Sequence, residues 1–240
     1  MLQYLIDMLY PARCPVCREI IVPKEQRICN GCRDKLRIIE EPRCKKCSKP
    51  VEFEEQEYCN DCRRKAFHYV RGFSVWVYDS VMKQSISDYK YRNKKENAGF
   101  YLEELIRHYG EILRKLAPDA LVPVPIHKSK YKVRGYNQAD ILARGLGKQL
   151  CIPVLSELLI RGRKTLPQKQ LDDKGRWENL KDAFQINQRK ADSYGKPLNR
   201  IVLVDDIYTT GSTVEACTGI LLEHGVQEVY FVTLCIGRGD

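Results

Sequence analysis

In the run Ile201-Val202-Leu203-Val204-Asp205-Asp206-Ile207-Tyr208-Thr209-Thr210-Gly211-Ser212-Thr213, two adjacent carboxylates stand a short step before a cluster of hydroxyls. Four branched apolar residues in succession read as a strand buried on both faces, which belongs in a parallel sheet, with the carboxylates where it ends. The Thr-Thr-Gly-Ser-Thr turn offers hydroxyls and unpaired backbone N–H groups. Gly211 permits close approach of a ligand, and Ser212 or Thr213 is placed to cap a helix over 214–224. Such a turn cradles a phosphate. Two carboxylates next to an anion repel it unless another part of the ligand needs them. The 2′ and 3′ hydroxyls of a ribose are donors that satisfy Asp205 and Asp206 while a 5′-phosphate lies in the turn. A solvated strand end followed by an ordinary turn accounts for each piece, but not for their order.

The cysteines carry a second chemistry. Of eleven, eight form four Cys-x-x-Cys pairs, Cys14/Cys17, Cys29/Cys32, Cys44/Cys47 and Cys59/Cys62, each starting 15 residues after the last. Met1 to Leu9 has apolar residues at helical spacing but no basic start or cleavage site, so it is expected to be an amphipathic helix docked on its own protein. A secreted disulfide framework is therefore not expected, and paired thiolates at this spacing build tetrahedral zinc sites. Eight ligands imply two structural Zn2+ ions. Sequential pairing puts Cys14, Cys17, Cys29 and Cys32 on one ion and Cys44, Cys47, Cys59 and Cys62 on the other; interleaving of pairs one and three is the alternative. Cys151, Cys217 and Cys235 have apolar neighbours and are expected to be buried.

The formal charge is +10, with the excess in the middle of the chain. Residues 71–135 and 136–200 carry +6 each, against +3 for 1–70 and −5 for 201–240. Eight thiolates and two Zn2+ would bring the zinc module near neutrality, so it is not the main electrostatic grip on a nucleic acid. Tyr89-Lys90-Tyr91-Arg92-Asn93-Lys94-Lys95 alternates rings and cations, a pattern suited to a single strand whose bases stack and whose phosphates pair. A helix end with its tyrosines turned inward is the competing reading. The second basic run, Lys128 to Gln138, reads as a loop following the strand Ala120-Leu121-Val122-Pro123-Val124-Pro125, at the edge where α/β sheets bind ligands. Lys128, Lys130 and Arg134 are thus candidates for a pyrophosphate, and Asn137 for the cap of a helix over 139–150.

The doublet and its turn resemble the 5-phosphoribosyl-1-pyrophosphate (PRPP) motif of type I phosphoribosyltransferases. The resemblance extends to the order of the other pieces: cysteine pairs, Val122-Pro123-Val124-Pro125, Arg134-Gly135-Tyr136-Asn137-Gln138 and the PRPP run follow one another as in the ComF family of late competence proteins. Gln168, Leu171, Arg176, Asn179 and Phe184 match that family's loop between core strands. The resemblance implies a double zinc ribbon (1–68) followed by an α/β, type I phosphoribosyltransferase domain (69–240), with a parallel-sheet core and flanking helices. It implies a cytoplasmic protein, free or at the inner face of the cytoplasmic membrane, acting on single-stranded DNA during natural transformation. Partners implied are PRPP with Mg2+, single-stranded DNA, a helicase-like ATPase and a DNA-processing protein. By the same resemblance Asp205 and Asp206 bind the ribose, and Thr209, Thr210, Gly211, Ser212 and Thr213 hold its 5′-phosphate. A salvage enzyme with purely structural ribbons, or a PRPP-binding adaptor without turnover, are the alternatives.

These residues need a scaffold of alternating strands and helices. Patterning predicts strands over 73–78, 120–125, 183–186, 201–204 and 228–235, short strands at 153–155 and 157–161, and helices over 81–91 and 98–116. The polar stretch 162–181 is expected to be a lid bearing Arg176. No run of about 18 apolar residues exists, so no membrane-spanning helix is expected. His68, His108, His127 and His224 lack metal or catalytic spacing. With Leu at position 2, removal of Met1 is not expected to expose a nucleophilic cysteine, so glutamine-dependent amidotransfer is not expected.

Overall fold

The computed structural model describes residues 11–23, 25–162 and 183–237. The β-branched and aromatic runs become β1 (Arg71–Val77), β2 (Ala120–Pro123), β3 (Leu159–Arg161), β4 (Phe184–Ile186), β5 (Arg200–Tyr208) and β6 (Glu228–Ile236). Four of them form a parallel sheet in the order β1-β6-β5-β2, while β3 and β4 pair antiparallel on their own. The helices are α1 (Asn30–Arg33), α2 (Asn60–Arg64), α3 (Ser80–Tyr91), α4 (Ala98–Leu116), α5 (Lys128–Arg134), α6 (Gln138–Leu150), α7 (Gln188–Tyr194) and α8 (Ser212–Glu223). Caps fix two starts. Asp79 accepts from the N–H groups of Val81 and Met82, each at 3.1 Å, and Asn137 accepts from Ala139 N–H at 3.1 Å.

Alternation along β5 divides the core. Val202 and Val204 join Phe73, Leu121 and Val232 in one cluster, which includes Met82, Leu105 and Leu142 from α3, α4 and α6. Ile201 and Leu203 join Val122, Phe231, Val214 and Leu221 in the other. The cysteine module grips both faces: Cys14 and Cys32 belong to the first cluster, and Cys44, Cys47 and Cys59 to the second. The segment between its halves lies along β1, with Ile39 N–H donating to Val75 O and Val77 N–H to Arg37 O, each at 2.9 Å.

Several expectations change. The segment 183–186 adds no strand to the parallel sheet, because β4 pairs with β3. Around 153–155 only a single parallel bridge, Val154 to Leu121, is made. The basic run at 128–138 is helical in its first half, since His127 accepts from Ser129 N–H at 3.1 Å and Gly135, at φ 76°, ends the turn. Cys151 is exposed; it ends α6 in the left-handed region at φ 57°. Cys217 and Cys235 are buried as expected. The helix expected at 1–9 and the lid with Gln168, Leu171, Arg176 and Asn179 lie outside the described residues.

Candidate functional site

The two cysteine quartets assemble sequentially. Cys14, Cys17, Cys29 and Cys32 bring their Sγ atoms within 4.8 Å of one another, and so do Cys44, Cys47, Cys59 and Cys62. A tetrahedral ion with Zn–S bonds of about 2.3 Å sets neighbouring sulfurs about 3.8 Å apart. The distances Cys17–Cys29 3.7 Å, Cys14–Cys29 3.6 Å and Cys47–Cys59 3.6 Å fit it. Both cysteine turns of the first ribbon are tied to the domain behind them. Arg18 grips Asp88 of α3 through two bonds of 2.6 and 3.0 Å, and Arg33 reaches Glu104 of α4 at 3.1 Å. Both acceptor carboxylates are buried. In the second ribbon Ser48 Oγ donates to Gly72 O at 2.6 Å and Gly72 N–H to Lys46 O at 2.8 Å.

The acidic doublet lies at a step in the sheet. Opposite β6, pairing of β5 continues past the doublet, from Asp205 against Thr233 to Tyr208 against Ile236. Opposite β2 it ends at Val204, whose carbonyl accepts from Val124 N–H at 2.9 Å. The strand therefore does not stop at the carboxylates; its neighbour does, leaving one flank of Asp205 and Asp206 open. Asp206 N–H donates to Asp205 Oδ1 at 2.8 Å. Burial, then the charge of Asp206, pushes the Asp205 carboxyl up to about 7, against the opposing pull of Lys90 and Arg161.

Cations surround this pair. Lys90, near the end of α3, places Nζ 2.8 Å from Asp206 Oδ1, with 18% and 8% of the two side chains exposed. Burial disfavours the Lys90 ammonium, yet Asp206, by charge and hydrogen bond, outweighs it and raises the pKa above the ordinary lysine value. Lys130 is lowered by burial and by the neighbouring charges of Arg161, Arg134 and Lys90. Arg161, its guanidinium 5.1 Å from the Phe184 ring centroid, is lowered by burial. Lys128 is exposed. Of these cations, Lys90 and Arg161 escape notice in the sequence as partners of the doublet, being far from it along the chain.

Beyond the step, Thr210 Oγ1 lies 3.0 Å from Ser212 Oγ and α8 begins. Neither Ser212 nor Thr213 holds the capping position; Gly211 does, at φ 82°, and it has no side chain with which to cap the helix. A glycine at this position supplies no side-chain oxygen of its own to the first N–H groups, which suits an anion site. The glycine serves the interior as well as the loop. A Cβ on Gly211 would run into the Tyr208 hydroxyl, 2.9 Å from Cζ of that ring and 3.0 Å from Cε1 of Phe67. Tyr208 Oη in turn lies 2.7 Å from Tyr69 Oη, and both rings are buried. They share a core cluster with Cys44, Cys47 and Cys59, so the second ribbon forms the floor of the loop.

The Tyr89–Lys95 run does not present a row of rings. Tyr89 is fully buried and its hydroxyl donates to Gln138 O at 3.1 Å, so it offers no face to a base. Lys90 faces Asp206. Tyr91 is 65% exposed, and Arg134 lies 4.7 Å from its ring centroid and donates to its hydroxyl at 2.9 Å. Arg92 pairs with Asp88 at 3.3 Å and Lys94 with Glu96 at 3.3 Å, while Lys95 stands 4.7 Å from the centroid of Tyr136.

Residues 5–63 match the family model of a double zinc ribbon domain, and residues 132–240 that of a phosphoribosyl transferase domain. The chain is 40% identical over 112 residues to Competence protein F of Haemophilus influenzae, covering 47% of this chain and 48% of the relative. It is 36% identical over 118 residues to DNA utilization protein YhgH of Escherichia coli, 49% of each. It is 30% identical over 155 residues to Competence protein ComFC of Bacillus subtilis, 63% of this chain and 58% of that one. The aligned parts span about half the length of the first two relatives. Cysteine quartets that fit two zinc ions, a parallel sheet stepped at an acidic doublet and homologues of these names together make the chain a double zinc ribbon joined to a phosphoribosyltransferase domain, similar to proteins named for competence and DNA utilization.

Proposed function

We propose that the chain binds PRPP in the step beside Asp205 and Asp206, and that it handles single-stranded DNA during uptake for natural transformation. The observation that carries the PRPP part is the unpaired edge of β5 beyond Val204, where two carboxylates precede the glycine-capped start of α8. In this reading the ribose hydroxyls donate to the doublet, and Thr209 to Thr213 take the 5′-phosphate. Lys128, Lys130 and Arg134 face the pyrophosphate, whose charge Mg2+ would also offset. If the ligand reacts, a nucleophile displaces pyrophosphate from C1 of the ribose, and negative charge at Asp205 and Asp206 favours the positive carbon formed as that bond breaks.

The DNA part draws on the relatives named for competence and DNA utilization, and on charge. Lys128, Lys130, Lys132 and Arg134 stand on α5 with exposed Tyr131 and Val133 interleaved, and Arg134 meets the exposed Tyr91. Exposed rings among cations suit a single strand. The zinc-bearing segment 1–68 would act as framework for domain 69–240, in the cytoplasm or at the inner face of its membrane. Among the described residues no helix is long and apolar enough to cross a membrane. A helicase-like ATPase and a DNA-processing protein are the proposed partners.

Titration with PRPP–Mg2+, and anisotropy with single-stranded DNA at several salt concentrations, test the two parts separately. Saturable PRPP binding and a DNA affinity that falls with salt are expected, because phosphate contacts release counterions. Exchanging Lys94 and Lys95 for Glu should weaken DNA binding and flatten its salt dependence. PRPP binding without any DNA affinity would favour a salvage enzyme, and release of pyrophosphate with a candidate acceptor would exclude a silent adaptor.

A further inference from the structure

Lys90 is a poor candidate for a surface cation. It is largely buried, it ends a helix whose preceding turn is pinned through Asp88 to Arg18 of the first ribbon, and its ammonium is already committed to Asp206 at 2.8 Å. Yet Asp206 is one of the two carboxylates that a ribose diol would occupy. A buried carboxylate paired with a lysine has one fewer lone pair to give a ligand, and a buried lysine that loses its carboxylate is left uncompensated. The arrangement is consistent with ligand binding only if both groups find new partners together. Lys90 stands among the other cations of the step, Arg134 and Lys130, and they influence one another electrostatically. That is the side on which the pyrophosphate would lie.

We infer that Lys90 is a pyrophosphate-binding residue stored on Asp206: when the ribose hydroxyls take Asp206, the Lys90 ammonium passes to the pyrophosphate oxygens. This rests on the proposed PRPP reading of the site and deepens it. Charge is conserved in the exchange, since the carboxylate trades a cation for neutral donors and the ammonium trades one anion for another. The exchange also couples the two ends of the ligand. A ribose phosphate lacking pyrophosphate would have to leave Lys90 where it is, or strand it.

The test compares two ligands on the full-length, zinc-loaded chain by calorimetry: PRPP with Mg2+, and ribose 5-phosphate. Lys90→Gln should lower PRPP affinity by about tenfold or more, the usual size of one lost charge-assisted bond. Affinity for ribose 5-phosphate should change less than about threefold or rise, because Asp206 is then free for the diol. Lys90→Arg should retain part of the PRPP affinity. Because Lys90→Gln leaves Asp206 buried without its cation, the double variant Lys90→Gln, Asp206→Asn supplies a neutral background, and the ratio of the two affinities is the quantity read in each. Equal losses for both ligands would overturn the inference and make Lys90 a support for Asp206 alone; unchanged affinities for both would overturn it as well. If the wild-type chain binds neither ligand, the PRPP reading itself falls, an outcome distinct from a wild type that binds PRPP and a variant that keeps the ratio.

Discussion

Gly211→Ala should destabilise the chain through two separable causes. The position sits at φ 82°, where a Cβ costs about 1–2 kcal/mol. The new methyl also meets the Tyr208 hydroxyl and comes within 2.9 Å of Cζ and 3.0 Å of Phe67 Cε1. Tyr208 cannot yield freely, because its hydroxyl is bonded to Tyr69 at 2.7 Å and its ring stacks on Phe231, 4.8 Å between centroids and 4° from parallel. Forcing extra volume into such a site costs about 1–3 kcal/mol, so the total is about 2–5 kcal/mol. Denaturant unfolding with zinc held constant measures it. Tyr208→Phe takes away the atom that the methyl strikes first, so in that background Gly211→Ala should cost less, falling toward the backbone contribution. A double-mutant cycle isolates the difference from the cost of leaving the Tyr69 hydroxyl unpaired. If Gly211→Ala leaves stability unchanged, or costs the same in both backgrounds, the packing of Tyr208 under the loop is refuted.

The zinc sites should separate by variant. Cys14→Ser and Cys44→Ser should each lower zinc content from two ions to one, measured by metal analysis; loss of both ions from either variant would refute sequential ligation. Only Cys44→Ser should raise amide exchange at the start of α8, since Cys44 shares a core with Tyr208 and Val214 whereas Cys14 lies on the other face of the sheet. Asp205 gives a pH signature. Its carboxyl, near 3.8 when unfolded and pushed up to about 7 when folded, contributes stability that is full below about pH 3.8 and lost as pH rises through 7. Asp205→Asn should therefore flatten the apo protein's decline in stability between these values, measured by denaturant midpoints across pH, and unchanged curvature would contradict the cause assigned to the shift.

The metal sites were the most legible part of the sequence, because a 15-residue repeat of Cys-x-x-Cys encodes ligation locally and needs no knowledge of the fold. β5 was legible because burial on both faces leaves an uninterrupted apolar run, and α4 because its apolar residues recur with helical period. Contacts that join distant segments were not. Nothing near Lys90 in the chain signals Asp206. In the Tyr-Lys-Tyr spacing, two residues turn a helix by about 200°, so one tyrosine enters the core and the other faces solvent. The residues 183–186 gave no sign of pairing with β3, since an apolar triplet fits any sheet edge. In the sequence Gly211 signals the close approach of a ligand, whereas the nearest obstacle to a side chain there is the protein's own Tyr208, placed by tertiary packing. The cap of α8 differs from its sequence signal for a related reason: Ser212 and Thr213 are good capping residues, but the left-handed Gly211 displaces them into the helix.

The aperture of the site is set by strand length. β5 and β6 overrun β2 by four residues, and that shortfall leaves the main chain beside the carboxylates without a strand partner on one edge. Carrying β2 two residues onward would preserve every layer of the architecture while walling off the doublet behind main-chain hydrogen bonds. Chains of this design can therefore be sorted into open and sealed forms by where their second strand breaks off, before any side chain in the hollow is considered.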